Sequence, residues 1–366
     1  MKKIMLVFGT RPEAVKMCPL VSELKSRSAF LTKVCVTGQH REMLDDVLSV
    51  FGIKPDHDLR LMRDGQTLFD ITGGTLDGMK AVLEKEKPDV VLVHGDTTSA
   101  FAASLAAFYM KIPVGHVEAG LRTYDIFAPY PEEFNRRAAD AVASFHFCPT
   151  ETDRENLLRE GISENVYVTG NTVIDALKTT VRDGYFHPEL EWARGSRLVL
   201  ITAHRRENIG KPLENMLLGI RRAVEEHPDV KAIYPVHPNP QVKKTAERIF
   251  AGCDRVHLTD PLSVQDFHNI LSRCFLAMTD SGGIQEEAPA FGKPVLVMRD
   301  TTERPEGLEA GVIRLVGTDT EKVCAALSDL LENEEEYAKM SHRANPYGDG
   351  TACVKIADIL ESKLCR

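Results

Sequence analysis

Tryptophan occurs once in this chain of 366 residues, at Trp192, and no stretch approaches the roughly 18 uninterrupted apolar residues that a membrane-spanning helix needs. A transmembrane protein is therefore not expected. Paired cysteines are missing too. Cys18, Cys35, Cys148, Cys253, Cys274, Cys324, Cys353 and Cys365 are scattered without a Cys-x-x-Cys pair, which speaks against a disulfide framework or a zinc site and predicts reduced core thiols in a cytoplasmic protein. Positive charge is in deficit, with 45 Lys and Arg against 54 Asp and Glu and a net charge of -9. Nucleic-acid backbones are held by a surplus of Lys and Arg, so that partner is not expected, and an anionic ligand must meet a local basic cluster. A secretory leader is also absent from the reading. The apolar run Ile4 to Phe8 is too short and leads straight into Gly9-Thr10-Arg11-Pro12-Glu13, as a first buried strand would.

What is present is a globular balance, 43% apolar and 27% charged, in a length that makes two domains the default. Short β-branched runs alternate with longer amphipathic stretches, the pattern of parallel sheets covered on both faces by helices. Strands are predicted at Ile4 to Phe8, Val34 to Thr37, Val90 to His94, Val114 to Val117, Phe145 to Cys148 and Val166 to Thr169. A second series runs Leu198 to Thr202, Ala232 to Val236, Val256 to Thr259, Phe275 to Met278, Val295 to Met298 and Ile313 to Val316. The expected fold is α/β, two Rossmann-like doubly wound parallel-sheet domains with an inter-domain cleft. Residues 1–175 form the first domain, 176–196 the linker and 197–350 the second; a last helix over 351–366 either completes the second domain or packs back on the first.

Ligands of open α/β sheets bind at the carboxyl ends of the strands, and here those exits are rich in Arg, His, Asp and Glu. The first exit has one glycine where a dinucleotide fingerprint needs three, so nicotinamide chemistry is rejected and no cofactor is expected. Arg11 with Lys16 on the following helix suits phosphate or carboxylate. Thr279-Asp280-Ser281-Gly282-Gly283 before a helix reads as a diphosphate cradle, with backbone N–H groups and the helix dipole aimed at the ligand; a plain capped turn is the competing reading. Glu287 follows one turn on, where it can reach a ribose or simply be solvated. Asp96 and Glu118 close neighbouring strands and Glu132 opens a helix. Singly these carboxylates read as cap, loop charge and dipole complement. Together, near a cationic His204 and Arg205, they point to proton transfer, because crowded charges push acid and base apart. His94, His116 and His146 lie in apolar strands and are expected to be hydrogen-bonded core residues, and no metal site is expected.

The segments Phe8 to Ala14, His94 to Thr98, Gly115 to Arg122, Pro131-Glu132-Glu133, Ala203 to Asn208, Thr279 to Pro289 and Arg299 to Gly307 resemble the non-hydrolysing UDP-N-acetylglucosamine 2-epimerases, from about residue 3 to the Asn345–Gly350 segment. The resemblance implies a glycosyltransferase-B-like architecture and reversible conversion of UDP-N-acetylglucosamine to UDP-N-acetylmannosamine for bacterial surface polysaccharide. It implies elimination of UDP to a bound 2-acetamidoglucal and re-addition. Asp96, Glu118, Glu132 and His204 are then the catalytic candidates. Arg11, Lys16, Asp96, Glu118, His204, Phe267, Ser281, Gly282, Gly283, Glu287 and Arg304 are the substrate-binding ones. A second UDP-N-acetylglucosamine acting as activator would touch Gln39, Glu132, Arg205 and His237, although Glu42 and Gly65 depart from the activated members. A homodimer is implied as well. The competing functions are a hydrolysing 2-epimerase that releases UDP and N-acetylmannosamine, a glycosyltransferase of the same architecture, and a nucleotide-sugar sensor without turnover.

Overall fold

The first strand, β1 (Lys2–Phe8), is buried on both faces from Ile4 onward, as a β-branched run inside a parallel sheet must be. The computed structural model describes residues 1–38, 41–63 and 65–365, with residues 41–43 described by backbone only. They form two units, residues 1–179 with the segment returning at Tyr347, and Thr180–Pro346. Among the described residues no helix is long and apolar enough to cross a membrane.

In the first unit β1 is followed by β2 (Phe30–Val36), β3 (His57–Asp58), β4 (Val90–His94), β5 (Val114–Val117), β6 (Phe145–Cys148) and β7 (Val166–Val168). All pair in parallel, in the order β3-β2-β1-β4-β5-β6-β7. The order reverses between β1 and β4, which makes their exits a switch point. The sequence reading omits β3, whose two residues carry no apolar run; it pairs with Cys35 and Val36 at the sheet edge. The helix Arg11–Ser26 starts with a capping box in which Thr10 and Glu13 satisfy each other's orphan groups. Gly9 is fixed by packing: a Cβ there would stand 1.7 Å from Thr37 Oγ1.

The second unit contains β8 (Arg197–Thr202), β9 (Val230–Pro235), β10 (Val256–Thr259), β11 (Leu276–Thr279), β12 (Val295–Val297) and β13 (Ile313–Leu315). These too are all parallel, in the order β10-β9-β8-β11-β12-β13, with its switch point between β8 and β11. Trp192, in the short helix Pro188–Trp192, packs on this unit's core and stacks on His257 with ring centroids 3.5 Å apart.

The chain returns to the first unit through the helix Ala352–Leu364, which lies against Arg11–Ser26. Arg27 Nη1 donates to Asp358 at 2.5 Å and to Glu361 at 3.1 Å, and Asp175 accepts the N–H groups of Ala352 and Cys353 at the start of the returning helix. Two segments touch where it returns. Gly170 (φ +90°) and Gly348 (φ +125°) approach so closely that a Cβ on Gly170 would sit 3.4 Å from Gly348 Cα, and Asn171 N–H donates to Tyr347 O at 2.7 Å.

Candidate active site

At the first unit's switch point Thr97 caps the helix Thr98–Tyr109 by accepting from Ala100 N at 3.0 Å, so Asp96 is released from the capping role. Its Oδ2 instead meets Arg136 Nη2 at 2.6 Å, and its carbonyl accepts from Asn135 Nδ2 at 3.0 Å. Both donors come from the helix Glu132–Val142, whose first residue, Glu132, is half-buried, with a side chain that makes no hydrogen bond or ion pair among the described residues. The neighbouring Glu133 is fully buried and accepts from Thr123 N and Tyr124 N, fixing the loop before it.

Glu118 follows β5, beside Asp96 at the exit of β4, with a left-handed backbone at φ +66°. A residue other than glycine is strained there and stays only because its surroundings hold it. Lys16 Nζ donates to Glu118 Oε2, and Asn171 Nδ2 donates to the same oxygen at 3.1 Å. Lys16 thus lies on a carboxylate, while Arg11, half-buried, begins the same helix. His94 corrects the expectation of a hydrogen-bonded core histidine. It is 4% exposed, its Nε2 has no hydrogen-bond partner among the described residues, and that atom faces Glu118 Oε2 at 3.7 Å. Burial pushes this imidazole down to about 3, against the pull of Glu118, so it is neutral near pH 7.

Beneath these exits lies a buried charged network. His116 Nδ1 donates to Asp140 Oδ1 at 2.6 Å and its Nε2 faces Gly95 O at 2.8 Å, so both nitrogens meet acceptors. Burial lowers its pKa, but Asp140 overcomes that and the net shift is upward; Asp140 is lowered, burial being outweighed by His116 and Arg122. Arg122 joins Asp140 at 2.8 Å and Glu160 at 2.7 Å with its side chain fully covered. Its charge is spent inside the unit.

In the second unit the buried Asp280 after β11 accepts from the backbone N–H groups of His204 and Arg205 at 2.9 Å each and from Asn208 Nδ2 at 3.1 Å. It therefore ties the exit of β8 to that of β11. Ser281 precedes the helix Gly282–Glu287 but makes no side-chain cap bond, which sets aside the capped-turn reading. A Cβ on Gly282 would lie 3.6 Å from both Arg205 Nη2 and Arg304 Nη2, so two guanidinium groups converge over this glycine. Arg304 is aimed by Glu286, which accepts from its Nε at 2.5 Å. Two guanidinium groups at the first turn of a helix supply the local cationic cluster that the net charge demands.

His204 and His237 stack with centroids 5.3 Å apart and planes 11° apart. His204 is not the expected cation. Burial lowers its pKa, His237 and Arg205 add to this, and Asp280 opposes without prevailing. Glu287 Oε2 lies 3.4 Å from His268 Nε2, and Phe267, the residue before His268, packs partly buried on the core. His237 also borders a groove of 470 Å³ with Lys243, Glu247, Thr259 and Asp260. Gln39 lies outside the described residues. The sequence reading missed Asn171, Arg136 and Asp280 as site-shaping residues; only the position of Asp280 at a strand exit signalled it.

A family model described as UDP-N-acetylglucosamine 2-epimerase matches residues 22–361. The chain belongs to this family. A UDP-N-acetylglucosamine 2-epimerase of Bacillus subtilis strain 168 is 55% identical over 98% of this chain and 94% of that relative. Among solved structures, a UDP-GlcNAc 2-epimerase from Neisseria meningitidis bound to UDP-GlcNAc is 47% identical. It covers 99% of this chain and 100% of its own, with a TM-score of 0.91. The S. aureus MnaA-UDP structure is 48% identical, covers 100% of this chain and 97% of its own, and has a TM-score of 0.93.

Proposed function

We propose that the protein interconverts UDP-N-acetylglucosamine and UDP-N-acetylmannosamine without hydrolysing them, in the cytoplasm, as a supplier of N-acetylmannosamine units for surface polysaccharide. The observation that carries this reading is the pair of carboxylates at adjacent strand exits, Asp96 held by Arg136 and Glu118 held by Lys16 and Asn171. The hydrogen on sugar carbon 2 has no neighbouring carbonyl to accept its electrons, so a carboxylate cannot remove it by simple enolisation. Departure of UDP from carbon 1 takes those electrons. A base removes the carbon 2 proton, the carbon 1 to carbon 2 double bond of 2-acetamidoglucal forms, and UDP leaves with the bonding pair. UDP then adds back to carbon 1 while an acid delivers a proton to carbon 2 from the opposite face.

Asp96, Glu118 and Glu132 serve as the acid and base set in this reading. Arg304, Arg205 and the N–H groups of Ser281-Gly282-Gly283 stabilise the departing diphosphate. His204, neutral, donates to the diphosphate or relays a proton, Glu287 and Phe267 hold the uridine, and Arg11 and Lys16 complete the substrate contacts. A homodimer and activation by a second UDP-N-acetylglucosamine through Gln39, Glu132, Arg205 and His237 belong to the same proposal. Sedimentation tests the first, and acceleration of the reverse reaction by trace UDP-N-acetylglucosamine tests the second.

The deciding experiment is proton NMR of the enzyme with UDP-N-acetylglucosamine in deuterated water. Formation of the manno epimer with deuterium at carbon 2 of both sugars is expected. Free UDP with N-acetylmannosamine would identify a hydrolysing enzyme, and binding without any product would leave a sensor.

A further inference from the structure

We propose that Asn171 is a positioning residue for the reaction, holding the Glu118 carboxylate in register with the segment by which the chain returns to the first unit. This rests on the epimerase reading above. Glu118 sits on a left-handed backbone, so its side chain has no regular element to orient it and depends on its contacts. One contact, Lys16 Nζ, comes from a long and rotatable side chain. The neutral His94 adds no charge and at 3.7 Å makes no hydrogen bond. Asn171 differs from both. It is 3% exposed, its backbone N–H is fixed on Tyr347 O at 2.7 Å, and its Oδ1 accepts from Val173 N at 3.1 Å. With backbone and amide plane both pinned, Nδ2 can point in one direction, and it donates to Glu118 Oε2 at 3.1 Å.

The simpler role, a cap on the helix Thr172–Thr180, uses only Oδ1. An ionised Asp would cap as well but has no donor, whereas the amide Nδ2 is the half of the side chain that donates to Glu118. The two roles are therefore separable by substitution. Asn171→Asp keeps the capping oxygen and replaces the amide donor by an oxygen that repels Glu118.

The test compares the parent enzyme, Asn171→Asp and Asn171→Ala by steady-state kinetics in the NMR assay, calorimetry with UDP, and thermal unfolding. For Asn171→Asp, kcat is expected to fall about 100-fold, the scale of a misplaced acid or base. KM and UDP affinity stay within about threefold, and the unfolding temperature falls because a second carboxylate is buried against Glu118. Asn171→Ala loses kcat similarly and also unfolds earlier, because the cap goes with the donor. Parent-like kcat in Asn171→Asp overturns the proposal. So does a loss of UDP affinity in that variant as large as its loss of kcat, which would make the residue structural. An inactive parent enzyme would instead sink the epimerase reading beneath it.

Discussion

At Glu118 a strained backbone and a crowded carboxylate coincide, a combination that persists when the geometry matters more than local stability. Replacing it by the isosteric Gln keeps the shape and removes the ionisation, as does Asp96→Asn at the neighbouring exit. Each is expected to lower turnover by about 10²- to 10⁴-fold, the usual worth of a positioned acid or base. Near-parent kcat in both would remove the pair from the chemistry. His94 allows a second test at this scale. Its pKa is about 3 folded, against about 6.5 in an unfolded chain. Between those values the unfolded state binds more protons, so stability falls as the pH drops through this window and the full cost is reached below pH 3. Urea midpoints at pH 7 and pH 4.5 should therefore differ more for the parent than for His94→Gln. His116, shifted the other way by Asp140, is common to both proteins and cancels in the comparison. Equal losses would mean that His94 is not held neutral.

The returning helix Ala352–Leu364 depends on residues far away in sequence. Asp175 accepts its first two free N–H groups, and Arg27 reaches Asp358 and Glu361. Losing a cap costs about 1 kcal/mol, up to about 2. Asp175→Ala should therefore speed amide exchange across residues 352–364 while leaving β4 and β5 protected; unchanged exchange there would show that packing on the Arg11–Ser26 helix suffices. At this scale sequence and structure agree where elements announce themselves. Val90 to Val93 is a continuous apolar run and Val114 to Val117 a short buried strand, ended by His94-Gly95-Asp96 and Glu118-Ala119-Gly120, so strand, exit and candidate carboxylate are visible together. β3 is two polar residues and leaves no trace in periodicity. Asn171 is equally hidden, since an isolated Asn looks the same whether it caps a helix, faces water or holds a carboxylate, and Asp280 shows only as one more strand-exit residue. The fate of Arg122 is hidden for the same reason, because only tertiary burial reveals that Asp140 and Glu160 neutralise it.

At the scale of the whole molecule, the candidate groups are found in two units. The carboxylates, Lys16 and Asn171 belong to the first; Arg205, Arg304 and the glycine turn belong to the second. A chain with net charge -9 has no general attraction for a nucleotide diphosphate, so affinity for UDP must come from that local cluster. Arg304→Ala removes one guanidinium and is expected to weaken UDP binding about 10- to 100-fold, as loss of charge-assisted hydrogen bonds does. Glu118→Gln should leave UDP affinity within about threefold, because its role concerns the sugar. Calorimetry on the parent, both single variants and the double variant then tests the division. If it holds, the double variant binds UDP as Arg304→Ala does, with a coupling below about 0.5 kcal/mol, the limit for independent sites. A larger coupling, or a UDP loss in Glu118→Gln equal to that in Arg304→Ala, would show that diphosphate binding and the acid and base set act as one unit.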